Sequence, residues 1–295
     1  MDLLRSLLLI PALDAAEIDS VRASHADALV LDLHDGVPPD QVTAARAAVR
    51  TAAAELRGER RPVWVRTHPT QTLLAKDDIR ATACEAIAGF IVPQIQSANH
   101  IHFVEALLRD AEAAAGLKEG TLRLIAEIES AAGLLVAAEI ARASARLVAL
   151  ALDGAGFTGD MGVERTREGH ELQYARSHIA VCARAAGLLA VDTAYPFVRE
   201  MQGLLTDTAA ARALGLHGKF VLTPGQAVTV NAVFRPAAHE VAYARRLHAA
   251  HEEAVARGEI PHLDGRIIDA TRLGRARRLI DFAAAIEAKE QQAAV

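Results

Sequence analysis

Eight short aliphatic runs, none alternating with polar residues, recur along this 295-residue chain, and helical patterns separate them. They occupy residues 7–10, 28–33, 62–67, 89–93, 122–128, 146–152, 188–192 and 218–224. A strand apolar on both faces needs cover on both, as in a parallel sheet wrapped by helices. Eight such units close on themselves better than they form an open sheet, so the pattern predicts an α/β protein, a (β/α)8 TIM barrel. Helices are expected from Asp14, over 41–57 and over 171–186, the second on alanine-rich 3.6-residue periodicity. After Pro236 the alternation stops. Two helices, 238–257 and 271–288, flank the segment 258–269. Residues 1–236 are therefore read as the barrel and 237–295 as a C-terminal helical extension, whose amphipathic faces need a partner such as a neighbouring subunit.

Composition narrows the function classes. A hydrophobic content of 52% and mean hydropathy of +0.16 predict a buried core. Lys+Arg of 32 against Asp+Glu of 37 gives a net charge of −5, and aromatics make up 4%. Neither the charge nor the aromatic supply suits a nucleic-acid partner. No apolar run approaches the ~20 residues of a membrane span. Cys84 and Cys182 sit in apolar helical patterns and read as small hydrophobes of a reducing compartment. Residues 1–11 lack a basic leader and are expected to be the first strand, not a signal peptide, which points to a cytoplasmic protein.

In such a barrel, polar residues at the carboxyl ends of strands face one mouth. Those ends supply Asp32, His34 and Asp35, then Arg66 and His68, Gln94, Glu129, Asp153 with Asp160, Asp192 and Thr223. Arg66 offers a planar fork for a carboxylate or enolate oxygen, or an internal salt bridge to Asp32 or Asp35. Glu129 suits a hard divalent cation, or simply the start of a helix. His34 and His68 are candidate ligands or bases, or hydrogen-bonded rim residues. The stretch Asp153-Gly154-Ala155-Gly156 resembles a glycine-rich cradle, without Rossmann or P-loop spacing.

Taken in order, several segments resemble the citrate lyase β-subunit-like family, which belongs with the HpcH/HpaI aldolases. They are Arg5-Ser6-Leu7-Leu8-Leu9-Ile10-Pro11, Leu31-Asp32-Leu33-His34-Asp35-Gly36-Val37-Pro38, Val65-Arg66-Thr67, Ile91-Val92-Pro93-Gln94 and Ile128-Glu129-Ser130-Ala131. Gly218-Lys219 through Pro224-Gly225-Gln226 and Asp264-Gly265-Arg266-Ile267-Ile268-Asp269 extend the match over essentially the whole chain. The resemblance implies Mg²⁺-assisted cleavage of a carbon–carbon bond in a 3-hydroxyacyl thioester such as a malyl, citramalyl or citryl thioester. It also implies a homo-oligomer, trimer or hexamer, with the terminal helices packed on a neighbour. Arg66 and Asp269 then become the catalytic pair: Arg66 binds the carboxylate, and Asp269 reaches a neighbouring site and handles a proton. Arg66, Asp35, Gly154 and Ala155 are expected as the substrate-binding set, and the metal set as Glu129, which matches a family ligand, with Asp153 standing in for a second.

Five positions depart from the family pattern. His34 replaces a glutamate, Val42 a lysine, Gln94 a lysine, Gly156 an aspartate and Thr223 a histidine. The Gly156 change removes a metal-binding carboxylate, which Asp153 could replace. A histidine in the site would favour Mn²⁺ or Zn²⁺. Two functions are therefore expected to compete: a divergent lyase, and a catalytically impaired member serving as a binding or assembly subunit. A thioesterase on the same site is a third.

Overall fold

Alternation that hydropathy hides becomes visible once the strands are paired. The computed structural model describes residues 3–13, 21–57 and 61–293. Its strands are β1 (Ser6–Pro11), β2 (Ala28–Asp32), β3 (Val63–Arg66), β4 (Gly89–Val92), β5 (Arg123–Ile128), β6 (Leu147–Leu152), β7 (Leu189–Asp192) and β8 (Gly218–Val221). They pair in chain order, all parallel, and β8 returns to β1 with Leu8 opposite Val221 to close the barrel. The fold is the expected (β/α)8 barrel.

All five residues of β2 are buried, so burial alone does not tell its faces apart. Successive strand residues point to opposite faces. Ala28 and Val30 join Leu7, Trp64, Ile125 and Phe220 in a cluster drawn from the strands, the barrel interior. Leu29 and Leu31 belong instead to the larger layer between strands and helices. Asp32, in phase with Val30, therefore continues the interior face. The same phase carries Trp64 to Arg66 on β3 and Ile125 to Glu127 on β5.

The helices follow from periodicity and caps. Helix α1 (Val42–Glu55) buries Val42, Ala45, Val49 and Ala52, a stripe at helical spacing. Helix α2 (Leu74–Thr82) buries Ala75 and Ile79, and with them the polar Asp78 and Thr82. Helix α3 (Ala98–Ala114) and the short α4 (Ala131–Leu135) are capped by Ser97 and Ser130, whose hydroxyls accept from His100 N–H and Gly133 N–H. After α5 (Ala137–Ile140) and β6 comes α6 (Gly154–Met161), capped by Asp153 and closed by left-handed Gly162 at φ 68°. Helices α7 (Gln173–Ala185), α8 (Met201–Ala213) and α9 (Pro224–Phe234) complete the ring.

Several boundaries differ from expectation. The helix expected from Asp14 begins outside the described residues. β8 stops at Val221, because Pro224 opens α9, where a residue without an N–H is cheap. The helix expected at 171 is first a 3-10 turn, His170–Leu172.

Contacts divide the chain into two compact units, Leu4–Phe234 and the part from Arg235 onward together with Leu3. The second unit holds α10 (Ala238–Ala256) and α11 (Ala270–Ala293), packed through Ala244, Leu247, Leu273 and Ala276. Between them lies a hairpin, β9 (His262–Leu263) with β10 (Arg266–Ile267). Its turn is Asp264-Gly265, both at positive φ, 50° and 74°. An Asp-Gly pair is a strong hairpin signal, which the helical patterns on either side overshadowed in the sequence. Among the described residues no helix is long and apolar enough to cross a membrane.

Candidate functional site

The interior phase of the strands delivers charge to the carboxyl end of the barrel. Arg66 is 2% exposed and Asp32 4%, and they lie opposite each other in the β2–β3 register. Burying a guanidinium requires partners. Arg66 finds four carboxylates: Nε donates to Glu127 Oε2 at 2.8 Å, and Nη1 to Asp35 Oδ2 at 2.5 Å and Asp32 Oδ2 at 3.1 Å. Nη2 makes only a long contact, 3.5 Å, to Asp153 Oδ2. The internal salt bridge to Asp32 and Asp35 is thus present, and it leaves one face of the guanidinium, Nη2, weakly engaged. Asp32 in turn accepts from His34 N–H and Asp35 N–H at 2.8 and 3.2 Å, which shapes the loop after β2.

Glu129 stands beside this group. Its Oε1 accepts from Gln94 N–H at 2.8 Å, and Gln94 has a left-handed backbone, φ 55°. Asp153 Oδ1 accepts from Ala155 N–H at 2.9 Å and Gly156 N–H at 3.4 Å. A Cβ at Gly156 would lie 2.3 Å from Glu129 Oε2 and 2.8 Å from Glu129 Cβ. Glycine at this position is what lets the Glu129 side chain lie against α6.

Negative charge exceeds positive charge here, and the titration of the acids reflects it. Burial raises Glu127 to about 8, with Asp153 and Glu129 adding to the effect and Arg66 offsetting only part. Burial and then Asp153 raise Glu129 to about 7. Burial also raises Asp32 against the pull of Arg66, while Arg66 itself is held charged by Glu127, Asp32, Asp35 and Asp153 despite burial. Among the described residues no three metal-ligating side chains are grouped. Nη2 of Arg66 meets Asp153, and Asp153 in turn raises the neighbouring Glu129, so the oxygens on this side are carboxylates. That chemistry fits a hard cation such as Mg²⁺, which takes one or two carboxylates and keeps water or substrate in its other positions.

The remaining candidates separate cleanly. His34 and His68 meet edge to face at the mouth, ring centroids 6.1 Å apart. Burial, then Arg66, lowers the pKa of His34. Gly154 N–H donates to Thr193 Oγ1 at 2.8 Å, so both it and Ala155 N–H are engaged by neighbours within the chain. Asp160 accepts from Ala131 N–H at 2.7 Å, which fastens α4. Thr223 accepts from Gln226 N–H at 3.3 Å in the first turn of α9. Asp269, exposed in the second unit, accepts from Arg272 N–H at 2.7 Å at the start of α11.

Asp192 is not a mouth residue. It is out of phase with interior Val191 and lies in the strand–helix layer, where it accepts from Arg176 Nε at 2.8 Å and Lys219 Nζ at 2.5 Å. Reading strand ends without their phase misplaced it. The same oversight missed Glu127, although a two-residue step back from Glu129 marks it. Asp78 carried no sequence signal, since only the packing of α2 brings it to His68.

Residues 5–224 match the HpcH/HpaI aldolase/citrate lyase family. The chain is 33% identical over 280 residues to the citrate lyase subunit beta of Leuconostoc mesenteroides subsp. cremoris, covering 95% of this chain and 93% of that one. It is 30% identical over 285 residues to a (3S)-malyl-CoA thioesterase of Cereibacter sphaeroides, covering 96% of each. Among solved structures, the Mycobacterium tuberculosis protein CitE in complex with magnesium, acetoacetate and coenzyme A superposes with a TM-score of 0.74 at 28% identity. That superposition covers 95% of this chain and 98% of CitE.

Proposed function

Since the chain belongs to the HpcH/HpaI aldolase/citrate lyase family, we propose that it is a carbon–carbon lyase acting on a 3-hydroxyacyl thioester of the malyl, citramalyl or citryl type. The observation that carries this reading is the charge arrangement at the mouth: one guanidinium with Nη2 weakly engaged, beside two carboxylates, Glu129 and Asp153, that it does not neutralise. Glu129 and Asp153 are the residues that would hold Mg²⁺, and Mn²⁺ suits the same oxygens. Bound there, the cation would polarise the oxygens of a keto acid fragment. Arg66 Nη2 takes the fragment's carboxylate, while Glu127, Asp32 and Asp35 keep the guanidinium from following it. The carboxylate-bearing fragment displaces the long Asp153 contact, which costs little at 3.5 Å. Asp269 of a neighbouring copy, in a trimer or hexamer held by the C-terminal helices, protonates the enolate carbon, and the protein works in the cytoplasm.

Thioester hydrolysis on the same site is a second reading, favoured by the likeness to the malyl-CoA thioesterase. A divalent titration with Mg²⁺ and Mn²⁺ on wild type and Glu129→Ala, followed by turnover of malyl-, citramalyl- and citryl-CoA, tests both. Saturable binding lost in Glu129→Ala, with a keto acid among the products, supports the lyase. Free hydroxyacid and thiol support the hydrolase. No cation binding, even with pyruvate, glyoxylate or oxaloacetate present, would sink both in favour of a non-catalytic binding subunit.

A further inference from the structure

A buried carboxylate outside the barrel reaches the mouth through one histidine. Asp78 of α2 is 0% exposed. Its Oδ2 accepts from His68 N–H at 2.8 Å and lies 2.7 Å from His68 Nδ1. Its Oδ1 accepts from Arg46 Nε at 2.8 Å, and Arg46 Nη2 is anchored on Leu74 O at 3.1 Å. The carboxylate is thus held from α1, whose Arg46 is itself anchored on α2's first turn, and from the loop after β3. A carboxylate at this distance fixes the ring proton on Nδ1, so Nε2 is the basic atom. Nε2 has no hydrogen-bond partner among the described residues. His68 lies two residues beyond Arg66, in the same phase, and His34 packs against its edge. An imidazole pinned at one nitrogen by a buried acid, with the other nitrogen open, has the arrangement of a general base and its orienting group.

We infer that His68 is the general base of the proposed reaction and that Asp78 is its positioning residue. The inference rests on the lyase reading. His68 Nε2 takes the proton of the 3-hydroxyl. The O–H electron pair becomes the second bond of the new carbonyl, and the carbon–carbon bond beside it breaks. The electrons of that bond pass into the enolate of the acyl thioester, which Asp269 of the neighbouring copy protonates. His68 returns its proton to solvent, from which Asp269 recovers one, so no outside oxidant or reductant is needed.

The test compares wild type with His68→Asn, Asp78→Asn and the double variant. Asparagine places an amide nitrogen where Nδ1 stood, which keeps the contact to Asp78 while deleting Nε2. Each protein is checked by thermal melting and assayed with the three thioesters, and the His68 tautomer is read by ¹⁵N NMR. Wild type is expected to carry its proton on Nδ1, and Asp78→Asn to shift it to Nε2. His68→Asn should lower kcat by about 10²- to 10⁴-fold with KM changed less than about threefold. The double variant should be no worse than His68→Asn, because the two groups act as a unit. Turnover that survives His68→Asn, or a wild-type ring protonated on Nε2, overturns the base while leaving the lyase standing. A wild type that cleaves none of the thioesters overturns the lyase reading and the base with it.

Discussion

Arg66 at the mouth and the Arg176–Lys219 pair on the flank of the barrel are both buried cations among aspartates, and they are balanced differently. On the flank, Arg176 and Lys219 face Asp192 and Asp207, all at most 2% exposed, and Arg165 adds a contact to Asp207 at 3.3 Å while pairing with Glu171 at 2.8 Å, three charges of each sign. Burial would raise Asp207, but Lys219 and then Arg176 override it and hold the acid at about 2. At the mouth, one guanidinium faces Asp32, Asp35, Glu127 and Asp153, with Asp35 open to solvent. Burial raises Asp32 and Glu127 there, and Glu129 beside them, while Arg66 lowers only the solvent-open Asp35 against its partial burial. A closed, neutral cluster ties helices to strands. An open one with surplus negative charge is poised to take a cation, or protons, from outside.

The sharpest way to break this contrast is Lys219→Met. It leaves Asp192 with Arg176 alone, and Asp207 with Arg176 and the longer Arg165 contact, and should cost about 3–5 kcal/mol in urea unfolding. A loss below about 1 kcal/mol would mean the flank is no more structural than the mouth. Arg66→Ala should do the reverse. Turnover should fall by about 10²- to 10³-fold, as when a group that stabilises developing charge is removed. Its stability cost should be smaller than that of Lys219→Met, because Asp35 reaches water and Glu127, already raised to about 8, can take a proton. Gly156→Ala sharpens the mouth side alone. Its Cβ falls 2.3 Å from Glu129 Oε2, so Glu129 must move, at about 1–3 kcal/mol of overpacking. Isothermal titration should then show weaker Mg²⁺ binding, and unchanged affinity would remove Glu129 in its present position from the cation site.

The smallest effect is in pH. Asp207 is lowered from an ordinary 3.8 to about 2. A depressed acid contributes stability that is complete above pH 3.8 and lost as the pH falls through 2. Urea midpoints should therefore decline between pH 4 and pH 2 in wild type. A flat profile there would show that Lys219 and Arg176 do not hold Asp207 down.

Much of the site was legible because strand ends are marked by where aliphatic runs stop. Arg66, Glu129, Asp153 and Asp32 all fall at such stops, and the structure gathers them. Asp192 falls at a stop as well, yet faces the opposite way. What failed was phase, since a run buried on both faces offers no polar alternation from which to count. The Asp264-Gly265 hairpin was readable from its turn residues alone, and was hidden by the stronger helical signals on either side.

The sequence by itself determined the barrel, its closure in eight units, the family and the chemical kinds of residue at the mouth. Apolar periodicity and ordered motifs are local, and local patterns survive being read in one dimension. Only the tertiary structure decided that Arg66 is shared among four carboxylates, that Glu129 takes the room left by Gly156, and that Asp78 orients His68. Each depends on which side chains of different elements meet across a barrel wall, and no spacing along the chain encodes that distance.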